Sequence, residues 1–184
     1  MMAFFGLLLF ILLIFPPVAE LMESIMIVHM HMQMPLLVIA GFLMGSFFQK
    51  RFPSLFAKWN EDGTPGILLF SIVMAYWLLP RTMDDALTSW AVQWFKYIGL
   101  PLLAGVPLRD SWLKLSRRVK NVVWTGFSVT FSGMGMLYTL SPVQLCNNYL
   151  LSEQITLGWG FITMAICMVI YLAYVLFVDA SDYE

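Results

Sequence analysis

Apolar residues run along this chain in long blocks separated by short polar stretches. Six blocks carry no Asp, Glu, Lys or Arg apart from one lysine: residues 1–19, 25–49, 63–80, 86–108 (interrupted by Lys96), 121–152 and 154–178. At about 1.5 Å of rise per residue each is long enough for one membrane span, allowing for tilt in the shorter ones. The blocks are continuously apolar rather than alternating, which disfavours the strands of a membrane barrel. The pattern therefore predicts an all-α fold, a polytopic transmembrane helical bundle of six helices in a single domain, 1–184.

Proline and glycine punctuate these blocks. Pro16 and Pro17 are expected to close the first helix, since proline cannot donate to the helical ladder and restricts the residue before it. That first block has no basic residues ahead of its apolar part, so it reads as a retained helix rather than a secretion signal. The third helix is short, 67–79, and ends at Pro80 before the polar segment from Arg81 to Asp85; Pro101 predicts a kink in the fourth. Gly41 and Gly45 in the second form a small-xxx-small pattern that lets another helix backbone come close.

Charge adds an orientation. Lys50, Arg51 and Lys58 lie between the second and third helices, and Arg109, Lys114, Arg117, Arg118 and Lys120 between the fourth and fifth. These are eight of the ten basic residues, the others being Arg81 and Lys96, and Lys96 is expected to snorkel outward from the start of the fourth helix. The positive-inside rule then puts the basic loops and both termini in the cytoplasm. Trp77, Trp90, Trp94 and Trp159 fall at the outer interface, and Trp112 and Trp124 at the inner one.

Composition agrees: 60% hydrophobic and 11% charged residues with a mean hydropathy of +0.81 mark an integral membrane protein whose first partner is the lipid bilayer. A net charge of −1 with no cationic run to follow a phosphate backbone excludes nucleic acid. Cys146 and Cys167 make neither a zinc pattern nor a disulfide framework. Two histidines two residues apart on one helix cannot form a bis-histidine haem site, which leaves histidine/methionine ligation as the open haem alternative, and no serine-centred elbow or zinc motif is present. No enzyme activity is expected.

The chemistry concentrates in residues 22–35, which hold both histidines and five of the fourteen methionines. Wound as a helix, this stretch places Met22, Met26, His29 and Gln33 on one face, with Met30 and Met34 on the adjoining stripe. His31, about 200° from His29, looks elsewhere. Thioether and imidazole together suit copper, so His29, Met26, Met30, His31 and Met34 form a candidate metal set, below an outer acidic rim of Glu20, Glu23, Asp84, Asp85 and Glu153. The plainer reading makes the methionines adaptable packing and the acids solvated loop residues. Met164, Met168 and Cys167 offer a second, weaker soft patch in the sixth helix.

Three places resemble the CtaG family of membrane proteins, associated with assembly of copper-containing haem oxidases of the caa3 type. They are the histidine and methionine stretch running into Pro35-Leu-Leu, the segment Tyr76-Trp-Leu-Leu-Pro80 followed by Asp85-Ala-Leu87, and Ser141-Pro142 with Ser152-Glu-Gln154 leading to Gly158, Gly160 and Met164. The resemblance implies a copper-handling assembly protein of a prokaryotic inner (cytoplasmic) membrane, with other membrane protein subunits, a haem-copper oxidase among them, as partners. Leu78 and Lys96 stand where the family tends to have histidine, and the family usually has a further helix. A chain so altered also fits a second class, a non-catalytic structural or accessory subunit of a larger respiratory-type membrane complex. The polar segment at Glu153 and Gln154, which the resemblance singles out and the topology puts at the outer entry to the sixth helix, is expected to approach the outer end of the second helix.

Overall fold

The computed structural model describes residues 1–178, and every regular element among them is helical. In chain order these are α1 (Met2–Ile14), α2 (Pro16–Glu23), α3 (Met26–Val28), α4 (Met34–Arg51), α5 (Pro53–Trp59), α6 (Thr64–Leu78), α7 (Pro80–Thr88), α8 (Trp90–Gly99), α9 (Val106–Trp112), α10 (Arg117–Leu140) and α11 (Leu151–Phe177). The C-terminal end, used above for orientation, lies outside the described residues.

Proline sets the breaks. Phe15, just before Pro16, is extended (φ −63°, ψ 123°), as a following proline requires, so α1 stops and the two prolines open α2 at 69° to it. Leu79 is extended in the same way before Pro80, and α7 leaves α6 at 75°. The segment from Arg81 to Asp85 is thus helical. Met22 belongs to α2, and extended Ile25 separates it from α3, so it does not share a helix with Met26.

Elsewhere proline widens the helix instead of ending it. Wide, π-type turns at His29–Gln33 and Leu100–Gly105 join α3 to α4 and α8 to α9, giving two near-continuous rods. Pro35 follows the first turn, Pro101 lies in the second and Pro107 follows it. A proline ring crowds the carbonyl four residues back, and bonds one residue longer absorb the misfit, as from the Met34 N–H to the His29 carbonyl and from Val106 to Pro101. The expected kink at Pro101 is this widened turn.

The rods cross where glycine lets backbone meet backbone. Gly41 lies against Pro101, and Gly105 against the backbone of Val38 and Gly41, so a side chain at either would collide. Around them Leu37, Trp77, Met83, Leu100, Tyr138 and Leu157 are buried in one cluster. The α10–α11 hairpin packs on itself through Gly135 and Gly158 and is fastened to the rest beyond the start of α4. There Asp84 in α7 accepts from the backbone N–H of Asn147 (2.7 Å) and from Asn148 Nδ2 (3.1 Å) in the α10–α11 connection.

At the opposite end, the basic loops are tied together by a second polar knot. Asp110 in α9 accepts from Asn60 (2.7 Å), Lys114 (2.7 Å) and Gln49 (2.8 Å), and Lys114 also reaches the Asn60 carbonyl (2.6 Å). The molecule therefore has a basic end and an acidic end. Two helices are long and apolar enough to cross a membrane, the rod Met26–Arg51 and α11, and up to four if α1 with α2 and α6 with α7 each count as one bent span. The chain is a helical membrane protein.

Candidate functional site

The wide turn at the head of α4 decides which side chains face inward. It brings His29, Met30 and Gln33 into the core together with Met26 and Met34, all of them buried, whereas His31 points toward α11. His31 lies tilted on Phe161, ring centroids 4.6 Å apart, and beside Gly160, where a Cβ would come within 3.2 Å of its Nε2. Neither of its ring nitrogens has a hydrogen-bond partner. His31 is packed here as a flat aromatic group.

His29 sits in a different setting. Across from it α8 presents Gln93, Lys96 and Tyr97, spaced three and one apart and so on one helical face, and α2 delivers Glu23 from above. Lys96 does not snorkel outward as the sequence suggests; it is 0% exposed. Its four-carbon stem is surrounded by protein, and its ammonium has partners inside the bundle. Nζ donates to Glu23 Oε1 at 2.6 Å, His29 Nε2 at 3.1 Å and Gln33 Oε1 at 3.2 Å. Three protons meet three acceptors.

The remaining polar atoms close the network. Glu23 Oε1 also accepts from the Tyr97 hydroxyl (2.6 Å) and Gln33 Nε2 (3.2 Å), and Oε2 from Gln93 (3.3 Å). The Tyr149 hydroxyl donates to the Glu23 carbonyl at 2.7 Å and lies 2.9 Å from His29 Nδ1. Since the one hydroxyl proton is committed to the carbonyl, Nδ1 carries the imidazole proton and Nε2 offers its lone pair to Lys96, a tautomer assigned from the partners. Both ring nitrogens of His29 are engaged.

This bears directly on the fit of copper. Met26, Met30 and Met34 lie near His29 along the rod, but the lone pair that would bind Cu(I) is directed at the Lys96 ammonium. A cation of the protein's own occupies the place beside the imidazole. Copper at His29 therefore has to displace Lys96, and the residues as packed do not fit it. Among the described residues no three of His, Cys, Asp and Glu are grouped to share a metal ion.

The acidic rim is not one surface. Glu23 is turned inward onto Lys96, with only 10% of its side chain exposed, because the bend between α1 and α2 aims the end of α2 into the bundle. Asp84 is buried and spent on the connection, and Glu153 accepts from the Leu150 N–H (3.0 Å) at the start of its own helix. Asp85 faces Arg81 at the surface (3.9 Å), and Glu20 is exposed. Gln154, beside Glu153, accepts from the Leu145 N–H (2.7 Å) and so shapes the connection whose Tyr149 reaches Glu23. Met164 and Met168 share an apolar wall while Cys167 is exposed, so the second soft patch does not converge.

Beside Asp84 the same connection buries Cys146, whose Sγ lies 3.7 Å from the Pro80 carbonyl. Burial, and then the Asp84 carboxylate, push its thiol up to about 12. It is an inert, protonated sulfur. Sequence reasoning missed Gln93, Tyr97 and Tyr149 altogether; the signal for the first two was Lys96 itself, a lone charge in an apolar block with hydrogen-bonding side chains on its own face.

Searches against protein-family models, curated proteins and solved structures gave no match for this chain.

Proposed function

We propose that the chain is a non-catalytic accessory subunit of a larger respiratory-type membrane complex, built as six spans in a prokaryotic inner membrane with both termini cytoplasmic. One observation carries the reading: the Lys96 ammonium, fully buried, has each of its three protons on a separate acceptor, and one acceptor is the imidazole that would hold copper. A site closed by an internal cation supports a role in holding one helix arrangement over a role in taking up and releasing a metal. Ionisable groups within membrane helices ordinarily face the bundle interior and pair with one another, and this cluster follows that rule.

The other reading is copper handling by an oxidase assembly protein, with His29, Met26 and Met30 as ligands, and it is favoured by the thioethers that flank His29. Cu(I) competition against a chelator separates the two in wild type, His29→Ala and Lys96→Ala. The accessory reading expects no competitive binding in wild type and stoichiometric retention of a partner through detergent purification from native membranes. Copper binding by wild type that disappears in His29→Ala overturns it.

A further inference from the structure

Toward the basic end, the α10–α11 hairpin stands off from the rods and leaves an apolar cleft of about 420 Å³. Phe42 of α4, Phe70 of α6, Phe127 of α10 and Met168 of α11 line it, Phe70 and Phe127 meeting with ring centroids 5.5 Å apart, and no charged residue lines it. Water there would find almost no hydrogen-bonding partners, so the space suits hydrocarbon. At its basic end Trp112 and Trp124 meet edge to face, centroids 6.3 Å apart, and the Lys120 ammonium stands 5.5 Å over the Trp112 ring. Trp124 lines the cleft with its ring, while its indole N–H is enclosed by protein and has no partner.

From the interior outward, the order is a hydrocarbon slot, a pair of amphipathic indoles and an ammonium. A glycerophospholipid presents the complementary order: acyl chain, ester carbonyl, phosphate. We propose that the cleft binds one acyl chain of an anionic glycerophospholipid from the leaflet at the basic end, with the glycerol region beside the two indoles and the phosphate on Lys120. The basic end selects the headgroup. Arg118 shares the first turn of α10 with Lys120, and Arg117 beside them donates to the Val175 carbonyl (2.8 Å), so a headgroup bearing its own ammonium meets like charge there. Tryptophan at the interface with a lysine beside it is also the usual anchor for this depth of the bilayer.

The test uses the full chain in nanodiscs of phosphatidylcholine, titrated with phosphatidylglycerol whose acyl chains carry bromine, a short-range quencher of tryptophan fluorescence. Saturable quenching is expected, and it should be lost in Trp112→Phe/Trp124→Phe and in Val123→Phe, which fills the slot. Lys120→Ala, a change near the surface, should raise the half-saturation about fivefold. Brominated phosphatidylcholine quenching with the same half-saturation overturns the proposal by making the contact generic. Unchanged half-saturation in Lys120→Ala also overturns it, whether or not Val123→Phe folds.

Discussion

A lysine among apolar helices has to find an acceptor for each proton, and Lys96 does so through residues from two other segments, Glu23 of α2 and His29 and Gln33 of the wide turn. Removing one member of a buried pair leaves the other charged and unmatched. Lys96→Ala should therefore destabilise the protein by about 3–5 kcal/mol, whereas Lys96→Met combined with Glu23→Leu should recover only part of that loss in thermal unfolding in detergent, because His29, Gln33 and Tyr97 lose their partners. Cys146 makes a prediction of opposite character. Its thiol is held up to about 12 against an unfolded value near 9, so between those values the unfolded chain has released a proton that the native chain keeps. Stability should fall as pH rises from about 9, and the fall should be smaller in Cys146→Ala. Lys96 was legible in the sequence as the one charge in its block; its inward direction was not, because that depends on Glu23, which is 73 positions away and brought near only by the bend after α1.

At the level of the helices, the sequence announced most of the breaks. Pro16 and Pro80 act where the pattern placed them, and Gly41 does provide a close crossing. The wide turns were not legible, since one extra residue in a turn leaves the apolar pattern nearly unchanged while rotating every side chain ahead of it. His29 and His31 diverge as the ordinary helical period already implies; what the wide turn adds is that Met34 and Gln33 face inward together. The crossing itself can be tested by adding side chains. Gly41→Leu should cost at least about 1–3 kcal/mol because the Pro101 backbone cannot move aside. Gly126→Ala in α10, with nothing within 4 Å of the new Cβ, should instead stabilise by up to about 1 kcal/mol. Comparing the two unfolding temperatures controls for a general effect of replacing helical glycine.

For the whole molecule, the segregation of charge is the organising fact, and the sequence displayed it plainly. The basic loops converge on Asp110 at one end, while Glu23, Asp84 and Glu153 gather at the other. The proposed orientation, with the basic end cytoplasmic, expects a reporter inserted after Ser116 to be active there and one inserted after Thr88 not to be; the reverse result would invert it. What the sequence could not display is that the hairpin of α10 and α11 is pinned at the acidic end and parted from the rods by a cleft near the other.

The Lys96–Glu23 pair also bears on how such a chain is made. A helix with a lone lysine partitions into a bilayer poorly, at a cost of about 2.5–3.5 kcal/mol on the insertion scale for a central position. The carboxylate that neutralises it is synthesised 73 residues earlier. The segment from Trp90 onward is thus best delivered to the lipid after α2 and α3 are already in place, beside the translocation channel, so that Lys96 passes from the aqueous pore to Glu23 without facing lipid alone. Loss of Glu23 is therefore expected to show first as failed insertion of the block that carries Lys96, read by a topology reporter placed after that block.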